Sequence, residues 1–262
     1  MLPEPPGAIG PPLPIRPITL SSPWRWLALG WADFARRPGP GLVHGAVLAL
    51  FGGVLFMLAY DRFWALAGAF SGFLLLAPIL ATGLYAISRA LERGERVDVH
   101  TVLGVWRPHD LRLVTFGLLL ALAGTGWVMT SAALITLFAD APVRNPQDFL
   151  RVVVLARDSM LFEAWLALGG LLAAPVYASS VVAIPLLLDR EIGLWRAVLT
   201  SWRAALEHPL PLALWAAILM LTSSAAITAG LVGLLVVVPW LAHASWHAYR
   251  DLVDASSLPE AR

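Results

Sequence analysis

The chain has 262 residues, of which 59% are hydrophobic and 13% charged, with a formal net charge of +1. Soluble domains are about 45–50% apolar, so an ordinary water-soluble fold is excluded, and near-neutral charge gives no general attraction to nucleic acid. There is no cysteine, which removes disulfides, thiolate catalysis, iron–sulfur clusters and Cys-type zinc sites.

The first 23 residues contain eight prolines. Proline at that density blocks helix, so residues 1–23 read as a disordered, solvated tail and, lacking a basic start, not as a signal peptide. Stretches without Asp, Glu or Arg follow over 41–60, 63–87, 113–139, 164–188 and 209–249. A hydrocarbon core takes about 20 apolar residues as helix. The first four stretches therefore cross once each, and the last crosses twice, as 209–228 and 230–249 with a turn at Ala229-Gly230. The expected fold is all-α: a membrane domain over 24–250 with six transmembrane helices, followed by a polar tail over 251–262.

All 18 basic residues are arginine. With the N-terminus inside, 14 of the 18 fall in cytoplasmic segments, leaving Arg62, Arg144, Arg151 and Arg157 outside. That bias puts both termini in the cytoplasm of an inner-membrane, multi-pass protein.

A unit recurs. Trp24-Arg25, Trp31 and Pro38-x-Pro40 reappear as Trp195-Arg196, Trp202 and Pro209-x-Pro211 at a constant offset of 171. Arg107-Pro108 resembles a shortened middle copy. Each copy precedes a membrane helix, so the bundle reads as three hairpin units, each preceded by a cytoplasmic amphipathic helix. On a wheel of about 100° per residue, Trp24, Leu27, Trp31 and Phe34 share one face while Arg25, Asp33 and Arg36 lie opposite. Trp195, Val198, Leu199, Trp202 and Leu206 share a face in the other copy. Helices of this kind lie flat at the headgroup boundary, where they brace the bundle or present a docking surface.

Pro78, Pro175 and Pro239 mark the returning helices and predict kinks in them. No Asp, Glu or Arg stands in the middle of a span, which weighs against proton-coupled transport. His243 and His247 are i, i+4 on the sixth helix, a spacing that suits two ligands on one metal, and His44 lies at similar depth on the first. The competing role is structural, because His247 sits in an aromatic and basic cluster of the kind found at membrane interfaces. Gly41-x3-Gly45 and Gly68-x3-Gly72 predict close helix contacts, and Thr222, Ser223, Ser224 and Thr228 are expected to bond across an interface. The loop from Asp140 to Glu163 carries a short apolar segment, Phe149 to Ala156, read as a helix on the outer leaflet.

Leu29-Gly30-Trp31-Ala32-Asp33-Phe34, Gly83-Leu84-Tyr85-x2-Ser88-Arg89-x2-Glu92-Arg93-Gly94 and His243-x2-Trp246-His247-Ala248-Tyr249-Arg250 together resemble an uncharacterised bacterial inner-membrane protein family. The resemblance covers roughly residues 24 to 252. It implies a multi-pass membrane protein without an assigned activity. Some relatives carry a cytochrome c oxidase label, but the mid-membrane histidine set of such a subunit is missing here.

The leading expectation is a non-enzymatic structural or accessory component of a membrane complex, with the lipid bilayer and another membrane complex as partners, no nucleic acid and no cofactor. The alternatives are a small-solute carrier or pore, and a metal- or haem-binding accessory of the respiratory chain through His44, His243 and His247.

Overall fold

The computed structural model describes residues 11–69, 81–97, 111–156 and 159–261. They form helices and no strand, apart from two isolated bridges, Ile15 with Val253 and Arg190 with Glu260. In chain order these are α1 (Ser22–Arg36), α2 (Pro38–Ala59), α3 (Thr82–Glu92), α4 (Leu111–Phe138) and α5 (Pro146–Phe149), which runs into a π-helical turn at Leu150–Val154. Then come α6 (Leu161–Ser180), α7 (Ala183–Asp189), α8 (Leu194–Glu207), α9 (Pro209–Thr228) and α10 (Leu234–Leu252). Residues 63–69 are also helical.

Among the described residues four runs are long and apolar enough to cross a membrane: Pro38–Ala59, Leu111–Phe138, Leu161–Asp189 and Pro209–Thr228. Only 22% of the apolar window is buried in three of them. Helices that apolar and that exposed need lipid, not water, as their solvent. The expected span over 63–87 is interrupted by residues outside the described ones, Gly72 and Pro78 among them. The expected sixth span, α10, is apolar only in its first half, since His243, His247, Arg250 and Asp251 occupy the second.

The chain divides into two compact units. The first takes Met1–Ala49, Pro78–Phe116 and Tyr177–Arg262. Its most extensive packing is of α1 along α10, which also packs against α3, α7 and α9. Gly30 makes the first of these possible, because a Cβ there would lie 2.4 Å from the Ala244 nitrogen. On α2, Gly41 and Gly45 approach Pro239 and Leu235 in the same way, as their spacing predicts. Trp26 is fully buried and meets Trp215 edge-on at 5.6 Å. The turn between α9 and α10 falls where expected, with Gly230 and Leu231 at φ 77 and 68.

Residues 11–20 are extended, as their prolines require, but docked rather than solvated. Leu13 is buried with its N–H on Thr200 Oγ1 at 3.1 Å, and the Arg16 N–H donates to the Leu252 carbonyl at 2.7 Å. The carbonyls at the end of α10 have no partner within their helix and accept from this segment. Residues 1–10 lie outside the described residues. The C-terminal segment is docked too: Val253 and Ala255 are buried, and Glu260 pairs with Arg93 at 2.8 Å.

The second unit takes Leu50–Ala77 and Gly117–Val176. Ile135, Val143, Val153 and Leu161 form its core, with Phe63, Trp64, Phe149 and Trp165 packed around them. Phe63 stacks on Phe149 at 5.3 Å, and Trp165 Nε1 donates to Ser131 Oγ at 2.6 Å. The short loop helix starts at Pro146, not Phe149. Asn145 caps it by accepting from the Asp148 N–H at 2.9 Å, with proline at the first helical position. Gly68 meets Val128 at ordinary contact distance. Thr222 and Thr228 do not bridge helices. Their hydroxyls donate back to Ile218 and Ala225 of their own helix, at 2.6 and 3.0 Å.

Gly30→Val is expected to cost about 1–3 kcal/mol, because the added atoms meet backbone that cannot move aside. Gly39→Ala, with nothing within 4 Å of the new Cβ, should stay within about 0.5 kcal/mol of wild type. Thermal unfolding in detergent compares the two, and equal stability would mean that α1 and α10 pack more loosely than the 2.4 Å approach requires.

Candidate functional site

Four polar side chains meet inside the first unit, from three helices. Asp33 on α1 is buried although the wheel places it on the solvated side. Its Oδ2 accepts from Ser88 Oγ of α3 at 2.8 Å and from His247 Nε2 of α10 at 2.8 Å. Ser88 Oγ also lies 2.7 Å from His243 Nδ1.

The proton positions follow from chemistry. An ionised carboxylate only accepts, so the single Ser88 proton goes to Asp33. Ser88 can then only accept from His243, which places the proton of that imidazole on Nδ1. His243 Nε2 keeps a bare lone pair, buried and without a partner among the described residues. Burial alone would raise the Asp33 carboxyl, but hydrogen bonds from His247 and Ser88 and the nearby imidazoles outweigh it and hold the group below its ordinary 3.8.

The sequence brings His44, His243 and His247 into one candidate metal set, and the structure gives each another role. His247 Nε2 is held by Asp33, His243 Nδ1 by Ser88, and His44 Nδ1 donates to the Pro40 carbonyl of its own helix at 3.0 Å. Among the described residues no group of three or more His, Asp or Glu side chains stands together as a metal site. The Asp, Ser and His types of a hydrolase are present without its geometry, since Ser88 donates to the carboxylate and is fully buried.

A second polar cluster surrounds Asp189, 1% exposed at the end of α7. Tyr249 Oη donates to it at 2.8 Å and Arg190 Nε at 3.0 Å, with Arg93 and Arg250 at 3.6 and 3.7 Å. Arg250 also grips Glu92 through two nitrogens, and Trp246 Nε1 donates to the same carboxylate at 3.1 Å. The aromatic and basic run around His247 is thus spent on internal bonds.

The repeated unit exposes its first tryptophan in both copies and differs at the second. In α1 the stripe Trp24, Ala28, Trp31, Ala35 is exposed, and Trp26, Gly30, Asp33 are buried. In α8, 171 residues on, Trp195, Leu199 and Leu206 are exposed, Trp202 is half-buried with Nε1 on Ser179 Oγ, and Ala197, Ser201, Ala204 are buried. Leu27 and Phe34, placed by the wheel with Trp24 and Trp31, belong to the buried side. The junctions repeat as well. Arg37 and His208 adopt φ −142, ψ 67 and φ −129, ψ 57 before α2 and α9 begin. Arg107-Pro108 lies outside the described residues, as do His100 and His109. Pro175 stands inside α6 and Pro239 inside α10.

Residues 65–189 match the family described as predicted integral membrane protein (DUF2189). The protein is an integral membrane protein, and that family is one without an assigned function. The match includes Ser88 and Asp189 but neither α1 nor α10, which supply the rest of the Asp33 network. No curated protein and no solved structure matches the chain.

Asp33→Ala is expected to lower stability by roughly 2–3 kcal/mol, because Ser88 and His247 lose a charged acceptor inside the fold. A carboxyl held below 3.8 contributes its stability above that pH and loses it as pH falls further. Melting curves in detergent should show a gap between wild type and Asp33→Ala at neutral pH that narrows only on acidification below about pH 4.

Proposed function

We propose that the protein is a non-enzymatic, six-crossing component of an inner-membrane assembly, with both termini cytoplasmic and with α1 and α8 lying as amphipathic helices in the headgroup layer. The single observation that carries this reading is the matched exposure of Trp24 and Trp195, 59% and 58%, on helices otherwise packed against their own unit. Each helix meets three media: protein on the Trp26 or Ala197 side, water on the arginine side, and a third on the tryptophan edge. Tryptophan prefers the boundary between lipid and water, and each stripe leads directly into an apolar helix, α2 or α9.

Sorting of the arginines supports the orientation. Arg16, Arg25, Arg36, Arg37, Arg89, Arg93, Arg96, Arg112, Arg190, Arg196, Arg203 and Arg250 belong to the first unit, and Arg62, Arg144 and Arg151 to the second. Support for the six-crossing count comes from α9 and α10. Gly233 packs on Ala226 to close the pair as a hairpin, and both helices stay within the first unit. The non-enzymatic reading is favoured by the burial of Ser88 and by the internal bonding of the Asp33 and Asp189 carboxylates. A partner would approach along the tryptophan edges from within or just above the lipid.

The chain has no cysteine, so single labels can be placed cleanly. Spin labels at Trp24→Cys and Trp195→Cys in vesicles are expected to collide with oxygen dissolved in lipid, and a label at Ala32→Cys with a water-soluble nickel chelate. Water-like accessibility at 24 and 195 would overturn the interfacial placement. Reporter fusions at the two ends should agree in compartment, and opposite compartments would overturn the even crossing count.

A further inference from the structure

The two copies of the unit share a backbone and differ in charge where the apolar helix begins. At the α8–α9 junction the residues are Glu207 and His208, and both are occupied. Glu207 accepts from Arg203 Nε at 2.6 Å, and His208 Nε2 donates to the Arg16 carbonyl at 3.1 Å. At the α1–α2 junction the same positions hold Arg36 and Arg37. The Arg36 side chain is 66% exposed and only grazes a carboxylate, its Nη1 4.0 Å from Asp33 Oδ1, while the other Asp33 oxygen takes Ser88 and His247. Arg37 is exposed, with no hydrogen bond or ion pair from its side chain to the described residues. Of the two cations there, one is only loosely paired and the other has no carboxylate partner among the described residues, where the second copy has a close ion pair.

Their surroundings identify what would compensate them. Pro38 opens a 22-residue apolar helix, so the pair stands at headgroup depth. Trp31, 48% exposed on the stripe, supplies an apolar contact one and a half turns earlier. Gly39 has no atom within 4 Å of where a Cβ would be, which leaves the backbone beside the pair open. A guanidinium offers a planar fork of donors that suits phosphate oxygens, and the N-terminal end of α2 adds positive potential.

We propose that Arg36 and Arg37 bind the phosphate of an anionic phospholipid, at a site that the second copy of the unit lacks. The proposal rests on the interfacial placement of α1 argued above. It makes the repeated unit asymmetric: one copy selects a lipid by charge, and the other only lies among lipids.

The test titrates the full-length protein in mild detergent with short-chain phosphatidylglycerol, phosphatidylcholine or inorganic phosphate, and counts complexes by native mass spectrometry. Phosphatidylglycerol is expected to bind in preference to phosphatidylcholine. Arg36→Gln and Arg37→Gln should each weaken it roughly fivefold and the double variant more than tenfold, in line with the usual effect of one basic residue at an anionic membrane. Arg203→Gln, in the other copy, should change it less than about twofold. Equal binding of both lipids, a double variant as tight as wild type, or an equal loss in Arg203→Gln would overturn the site. Inorganic phosphate binding as tightly as phosphatidylglycerol would overturn its assignment to lipid. Should the double variant fail to fold, the two exposed single substitutions carry the same comparison. The label at position 24 separates the two readings. Lipid-like accessibility without selectivity removes this site alone, whereas water-like accessibility removes the interfacial placement itself.

Discussion

A carboxylate withdrawn from water needs donors on its oxygens, and Asp33 draws them from two helices other than its own. Ser88 fixes α3 and His247 fixes α10 relative to α1, each within a hydrogen-bond length. Those distances are reachable only because Gly30, one turn before Asp33, lets the α1 backbone lie against Ala244. The missing side chain and the buried charge are therefore one device. Close approach without the charge would leave the helices free to slide, and the charge without close approach would be left unpaired at several kcal/mol. Asp189 applies the same logic at the end of α7, where Tyr249, Arg190, Arg93 and Arg250 tie α10 and the segment after α3 to it.

The second copy of the unit keeps the stripes and changes the bonds on them. Where α1 buries Gly30 and Asp33, α8 buries Ser201 and Ala204. Ser201 accepts from the Val182 N–H at 3.1 Å, and its neighbour Thr200 accepts from Leu13. The first copy thus clamps helix to helix, and the second secures a turn and the N-terminal segment. Trp24 and Trp195 stay equally exposed through this exchange of internal partners, while Trp202 bonds Ser179.

The apolar runs were legible because a span is recognised by length and lack of charge, neither of which depends on tertiary structure. The turn at Ala229-Gly230 and the close approaches of Gly41 and Gly45 were legible for the same local reason. The Asp33 network was not. Its hydrogen-bonded partners are 55 to 214 residues apart, and a charged residue on a helix wheel reads as solvated by default. The wheel also found an apolar side on α1 without showing that this side is divided, Leu27 and Phe34 buried and Trp24 and Trp31 exposed, the Trp31 ring edge-on to Trp240 of α10. His243 and His247 share a spacing that suits a metal, yet their imidazoles are oriented by Ser88 and Asp33, groups that no local pattern connects to them. The proline-rich start correctly implied extended backbone, while Leu13 and Ile15, the apolar residues that dock it, were outweighed by the prolines around them.

Two divisions of the chain, drawn from unrelated properties, coincide. One follows packing alone and passes from unit to unit four times, within α2, between residues 77 and 78, within α4 and within α6. The other follows arginine, and sorts the described arginines into the same two sets. Packing is blind to charge, and the charge bias of membrane proteins arises at insertion, before any helix has packed. Both divisions nevertheless change at the same places along the chain. Leu13 and Glu260 are both docked within the arginine-rich first unit.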